Sequence, residues 1–404
     1  MSYSRVLIIG AGVGGLALAQ GLRKGQIDFA VFEKDPLLDS RLQGYRLKIF
    51  GEFQTKLRDL LTDEAWSEFE ATCAETHLGE TTLNATDGRI IGSRKGYLPE
   101  GMPLPYTIDR GMLRRSLMKG IEDSVQFDKR FLKYELNDQG VKVTLEDGSI
   151  EQGTLLVGAD GARSLVRKQL LPDHRPLDTK GCCIYGKSIL TPELLARFPV
   201  KHRKWMTVIV DKTPILQSII SGEEPLALVS EPVRFANRIS TCDLPEDYIH
   251  WGLMFPENTS GLKDEELEKA LRSRAVDLSL QLTSEWDPSV RSLIELQDQS
   301  LTMGMRMYNV GPNIPAWTSS ANITLMGDAI HVMAPSGGVG AVAALHDASV
   351  LAQIIGDEGI TEASIGYFEG SMRQFAKVCI MRSFVAGKKM LNMPSFEDCH
   401  QVDW

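Results

Sequence analysis

The stretch Arg5-Val-Leu-Ile-Ile-Gly-Ala-Gly-Val-Gly-Gly-Leu-Ala-Leu-Ala-Gln20 decides the fold. Five residues, Val6 to Gly10, form a short apolar run without polar alternation, the pattern of a strand buried on both faces of a parallel sheet. Gly10, Gly12 and Gly15 follow in G-x-G-x-x-G spacing. The first permits the tight turn, the second leaves bare backbone against which a phosphate can lie, and the third lets the helix close on the strand. Leu16, Ala19 and Leu22 recur at helical spacing, which predicts a helix from about Val13 to Lys24. Its N-terminus points unpaired N–H groups and partial positive charge at the turn. A second strand is predicted at Asp28-Phe-Ala-Val-Phe32, with Glu33 at its carboxyl end, 18 residues beyond Gly15. An acid there can accept hydrogen bonds from both hydroxyls of an adenosine ribose and repels a 2′-phosphate. Together these features predict an adenine dinucleotide site.

The chain has 404 residues, enough for two domains or one composite body. With 43% apolar and 24% charged residues it reads as an ordinary globular protein, and a net charge of −9 argues against a nucleic-acid or anionic-membrane partner. None of the six cysteines stands in C-x-x-C spacing, and adjacent Cys182 and Cys183 read as buried strand residues. Neither a disulfide scaffold nor a metal site is expected. Met1 leads almost directly into the first strand, leaving no room for a signal peptide, and no apolar run approaches the roughly 18–20 residues of a membrane span. A soluble, cytoplasmic protein is expected, as a monomer or homodimer.

Farther along, apolar residues from Phe53 to Phe69 recur at helical spacing, and residues 78–96 turn to strands about an Asp87-Gly88 hairpin. Tyr106-Thr-Ile-Asp-Arg110 leads into a helix bearing Leu113 and Leu117, so Arg110 opens that helix. Strands around turns at Gly140 and Gly148 end in the buried run Leu155-Leu-Val-Gly158. Residues 176–300 differ, with predicted strands Cys182–Ile189, Trp205–Val210, Ile215–Ile220, Leu226–Val229, Arg238–Cys242 and Tyr248–Phe255, and a charged helix Lys263–Leu280. A buried strand returns at 321–326, and a helix is predicted from Gly340 to Ile355.

Two later stretches carry a resemblance. Gly158-Ala-Asp-Gly-Ala-Arg-Ser-Leu-Val-Arg167 resembles the G-A-D-G-x-x-S-x-V-R signature of flavoprotein monooxygenases, and Met326-Gly-Asp-Ala-Ile-His-Val-Met-Ala-Pro335 resembles their G-D-A-x-H-x-x-x-P signature. With the N-terminal glycines, three motifs stand in the family's order. The chain is thus similar to single-component, aromatic-hydroxylase-type FAD monooxygenases of fungal secondary metabolism. The resemblance implies an α/β fold: a discontinuous Rossmann-like FAD-binding domain (1–75, 100–175 and 300–360), an inserted antiparallel-sheet substrate domain (76–99 and 176–299) and a helical C-terminal segment (361–404). It implies FAD as cofactor, NADPH or NADH as transient reductant, and O2 and a small molecule as substrates. The implied reaction is hydroxylation or epoxidation through a flavin C4a-hydroperoxide, with the protein excluding water and aiming the substrate.

The candidate cofactor-binding residues are Gly10, Gly12, Gly14, Gly15, Glu33, Lys34, Arg41, Gly44, Arg110, Asp160, Gly161, Asp328, Pro335, Gly338, Gly340 and Ala341. Asp328 follows a buried strand, at the carboxyl edge where ligands bind in open α/β sheets. Pro335-Ser-Gly-Gly-Val-Gly-Ala341 opens a helix whose N–H groups suit the anionic edge of a reduced flavin. Arg163 and Arg167 would add positive charge. The family's Asn two residues beyond the last glycine is Val342 here. His331 is expected to pack or orient its loop, and His346 to lie at the surface.

The inserted sheet supplies the substrate side. Tyr185 and Lys187, two apart on one strand, share a face and are candidate catalytic residues. His250 and Trp251 are candidate substrate contacts, of which only one can face inward. Baeyer–Villiger oxygenation on the same scaffold, or a non-redox cyclase or isomerase with structural FAD, stand as alternatives. No two tryptophans stand two apart, which excludes the W-x-W-x-I-P stretch of flavin halogenases.

Overall fold

The computed structural model describes residues 4–40, 45–211, 215–216, 219–220, 226–236, 238 and 244–403. Arg5–Ile9 and Asp28–Phe32 pair in parallel, as their apolar runs predict, and the Val13–Lys24 helix crosses between them. The sheet extends in the order Ile323–Leu325, Leu155–Gly158, Arg5–Ile9, Asp28–Phe32, Val125–Gln126, with every pairing parallel. Its central strands are almost wholly buried, and a core running from Leu7 and Val157 to Leu351 and Phe368 joins them to the helices. The chain therefore returns twice, at 155 and at 323, to lay new loops beside the first glycine turn.

A second sheet holds eight strands among the described residues. Its main path runs Met303–Asn309, Leu177–Ile189, Tyr248–Pro256, Ala227–Val233, Met206–Val210, Gly79–Asn84, Ile90–Lys95, and His400–Gln401 pairs off this path. Alternate residues divide between its faces. Ile184, Leu253, Leu228 and Trp251 pack into a core with Leu267, Leu271 and Leu293 from the helices that follow. Tyr185, Lys187 and Met254 face the other way. Opposite that second face lies a two-stranded ribbon, Arg46–Ile49 with Tyr106–Asp109.

Several expectations shift. The helical pattern from Phe53 onward is two helices, Glu52–Leu60 and Asp63–Thr72, because Thr62 turns extended and caps the second by accepting the Ala65 N–H. The charged helix splits at Arg274, which leaves helical dihedrals, into Asp264–Ser273 and Ala275–Leu282. Ile215–Leu216 and Ile219–Ile220 form a short antiparallel pair, while of the predicted strand at 238–242 only Arg238 is described. Cys182 and Cys183 are buried and free, and Cys242 lies outside the described residues. Among the described residues no helix is long and apolar enough to cross a membrane.

Candidate active site

Gly10 takes φ +108°, and its N–H donates to Phe32 O at 2.8 Å. A Cβ on Gly10 would meet Ala159 O at 2.4 Å, and one on Gly15 would meet Gly10 O at 2.1 Å. Gly15 lets the helix close on the turn, and Gly10 lets the loop after Leu155–Gly158 approach it. Gly12, the helix N-cap, differs, since a Cβ there meets no protein atom within 4 Å. That open side, beside the first N–H groups of the helix, suits a phosphate. On the Cβ side Gly14 packs tightly, with Ala344 and Met326 side-chain atoms 3.2 Å from where a Cβ would sit.

Glu33 is buried, accepting the Ala11 N–H on Oε2 at 2.8 Å and the Asp35 N–H on Oε1 at 3.0 Å. Each oxygen keeps a lone pair for a hydroxyl. Lys34 is half-buried beside it, and Arg41 and Gly44 lie outside the described residues. Arg114, which the sequence reading passed over, is buried. Its Nε and Nη2 donate to Ala11 O at 3.2 and 3.0 Å and its Nη1 to Leu38 O at 2.7 Å, tying the glycine turn to the segment beyond Glu33. Only the helical neighbours Met112 to Met118, and not its own sequence context, mark it as inward.

Asp160 Oδ2 accepts the N–H groups of Leu165 and Val166 at 2.8 and 3.4 Å, while Oδ1 is buried without a hydrogen-bond partner. Burial pushes this carboxyl up, against the pull of those bonds. Gly161 follows at φ +81°, its Cβ direction open. Arg167, expected to supply charge to a ligand, is instead structural. It is buried, and Nη1 donates to Ala162 O at 2.8 Å and Ala329 O at 3.1 Å, binding the two signature loops together. Arg163 turns outward to Glu268, 4.0 Å away.

Asp328 follows Gly327 (φ +61°) after the buried strand Ile323–Leu325. The residue is accessible, yet protein crowds its carboxyl, so desolvation pushes it up while the charges of His331 and Arg110 oppose that shift. Arg110 opens its helix as expected, donates its backbone N–H to Tyr45 O at 3.0 Å and lays its guanidinium 5.4 Å from the Tyr45 ring centre. Its charge acts on both Asp328 and Tyr185. Pro335–Gly337 form one tight turn, and the helix begins at Gly340. Cβ directions at Gly338 (φ +63°) and Gly340 are open, apart from Met333 Cγ at 3.9 Å from the latter, and Ala341 is half-buried. Val342 is buried in the core.

On the sheet face, Lys187, His250 and Glu231 lie directly opposite one another on three neighbouring strands. Lys187 Nζ sits 2.6 Å from Asp109 Oδ2, which also accepts the Tyr248 hydroxyl at 2.7 Å. Burial alone would raise the Asp109 carboxyl, but Lys187, Tyr248 and the Gly111 N–H hold it below its ordinary range. Glu231 pairs with Arg46 at 2.5 Å and Lys48 at 2.8 Å. His250 therefore stands between two neutralised pairs. Burial, with Arg46 and Lys187 nearby, lowers it to about 3, so the ring is neutral. It stacks on Tyr185, ring centres 6.0 Å apart, and Tyr185 stacks on Tyr45 at 5.2 Å. Burial raises the Tyr185 phenol well above its usual value.

Trp251 is the one of its pair that faces away. It is fully buried on the opposite sheet face, its Nε1 donating to Ser188 Oγ at 3.0 Å. His346, expected at the surface, is buried too, its ring 4.0 Å from Phe375 and nearly parallel to it. His331 packs as expected, against Asp347 at 2.6 Å.

The buried Asp160 oxygen, the open cradle at Gly12 and the free lone pairs of Glu33 fit an extended dinucleotide. Residues 3–181 match the FAD binding domain family. A relative from Phaeosphaeria nodorum, the dual O-methyltransferase/FAD-dependent monooxygenase elcB, is 44% identical over 97% of this chain and 46% of its own length. The chain carries an FAD binding domain and is similar, over nearly its whole length, to relatives named as FAD-dependent monooxygenases. A second dual enzyme of the same description, CTB3 of Cercospora beticola, is 43% identical over 98% of this chain and 47% of its own length. The chain thus spans about half the length of these monooxygenase relatives. A solved structure from Photorhabdus luminescens, assigned as an FAD containing monooxygenase, is 28% identical, with a TM-score of 0.76 over 96% of this chain and 98% of that one. The monooxygenase fold accordingly covers nearly all of the described residues.

Proposed function

We propose that this chain uses NAD(P)H and O2 to hydroxylate or epoxidise a small organic molecule, in the cytoplasm and as a monomer or homodimer. FAD, when bound, takes reducing equivalents from NAD(P)H and activates dioxygen. In this reading Gly10, Gly12 and the N-terminus of the Val13–Lys24 helix hold the pyrophosphate, and Glu33 accepts the ribose hydroxyls. Arg110, Asp160, Gly161, Asp328 and the 335–341 loop hold the rest of the cofactor. Residues 176–299 and 76–99 form the substrate side. Tyr45, Tyr185 and His250 form a row of stacked rings beside which an aromatic or conjugated substrate fits. Lys187 keeps two N–H donors beyond the one it gives Asp109, and these orient a substrate oxygen. The Arg46–Ile49 and Tyr106–Asp109 ribbon covers part of this face, burying Lys187 and Glu231 against it and strengthening their polar contacts.

The observation that carries this reading is that Arg110, which opens its helix on the cofactor side, lies 5.4 Å from the Tyr45 ring, and Tyr45 stacks at 5.2 Å on Tyr185 of the sheet face. The test is incubation with NADPH or NADH, heavy-isotope dioxygen and candidate substrates, with products weighed by mass spectrometry. Incorporation of one heavy oxygen atom is expected. A product of unchanged mass from protein whose flavin never responds to NADH or NADPH would replace this reading with cyclase or isomerase chemistry.

A further inference from the structure

Asp347 lies on the Gly340–Glu358 helix, belongs to neither signature loop, and is completely enclosed. One of its oxygens, Oδ2, is bound from two directions: by the Gly327 N–H at 2.9 Å and by His331 Nε2 at 2.6 Å. Those two groups stand at either end of the short turn Asp328–His331. Gly327 adopts φ +61° and ψ −149°, a conformation that only glycine takes readily and that surrounding bonds must hold. Two carbonyls of the turn are also secured, Ala329 O by Arg167 at 3.1 Å and Ile330 O by His174 at 2.8 Å. The one side chain of the turn that stays accessible is Asp328.

We propose that Asp347, acting with His331, is a positioning residue for the cofactor: it locks the Gly327 turn so that the Asp328 carboxylate stands ready for FAD before FAD arrives. The proposal rests on the reading that Asp328 holds FAD. It gives His331 a task distinct from catalysis and explains why a carboxylate is buried beneath the cofactor groove without facing it. Preorganisation of this kind reduces the ordering that binding must otherwise impose.

The test is FAD titration of cofactor-stripped protein, followed by quenching of flavin fluorescence, alongside thermal unfolding of the same stripped protein. Asp347→Asn is expected to weaken FAD binding by about tenfold, the size of one lost charge-assisted hydrogen bond. His331→Gln, which leaves the Gly327 bond in place, should weaken it less and carries the test if Asp347→Asn fails to fold. Asp328→Ala should also weaken binding, and adding Asp347→Asn to it should cost nothing more, because the two act through one contact. Wild-type FAD affinity in folded Asp347→Asn and His331→Gln, or losses that multiply in the double variant, would overturn the positioning role. Unchanged affinity in Asp328→Ala would instead sink the assignment of Asp328 itself.

Discussion

Lys187 and Asp109 meet at 2.6 Å across the boundary between the antiparallel sheet and the helix that Arg110 opens, both of them buried. Asp109 also caps that helix, accepting the Gly111 and Met112 N–H groups. Removing the acid strands a buried ammonium and uncaps the helix together. Asp109→Ala is therefore expected to lower stability by about 3–5 kcal/mol. Lys187→Met should cost less, because Tyr248 and the helix N–H groups still satisfy the carboxylate. Urea unfolding of both variants measures the difference, and equal losses would contradict it.

Gly12 and Gly15 separate binding from folding. Gly12→Ala meets no protein atom and needs no unusual φ, so its unfolding midpoint should stay within about 0.5 kcal/mol of wild type, while FAD binding is lost. Gly15→Ala drives a Cβ into Gly10 O and should yield unstable or insoluble protein. Thermal unfolding with FAD titration distinguishes the two.

His250 and Trp251 should behave oppositely although adjacent. Trp251→Ala empties a core position and should cost about 3–5 kcal/mol. His250→Ala should cost less stability than Trp251→Ala and raise KM for the substrate, because its ring stacks on Tyr185 on the candidate substrate face. Steady-state kinetics and thermal unfolding read both; a folded, kinetically altered Trp251→Ala would reverse the assignment of faces.

Stability should fall at both ends of the pH range for separate reasons. The Asp109 carboxyl is held below its ordinary 3.8, so its contribution is present above that value and is lost as pH falls through the lower folded value. Asp347 raises His331 above its ordinary 6.5 despite burial, so that contribution is complete below 6.5 and is lost as pH rises through the higher folded value. Thermal midpoints across pH should show His331→Asn with a flatter alkaline limb.

What the sequence made legible was local. The first strand, glycine turn and helix, the two later signatures and the alternation of Tyr185 with Lys187 all depend on short spacings, and the structure has each in place. What escaped depends on partners far along the chain. Asp109 meets Lys187 78 positions away and Tyr248 139 away, and nothing in Tyr106-Thr-Ile-Asp-Arg110 announces either contact. Arg114 goes unremarked and Arg167 reads as a charge for a ligand, because the backbone carbonyls that accept their hydrogen bonds lie 103 and 162 positions away. His346 looked exposed because its burial comes from Phe375 on the following helix.

Gly186 and Trp251 interlock so tightly that a methyl group on the glycine would sit 2.0 Å from the indole. The pair can change only in concert, whereas Tyr185 and Lys187, on either side of Gly186, can vary without disturbing the indole. A single strand thus presents a side locked by steric fit and, one residue over, a side whose substitutions leave that lock untouched.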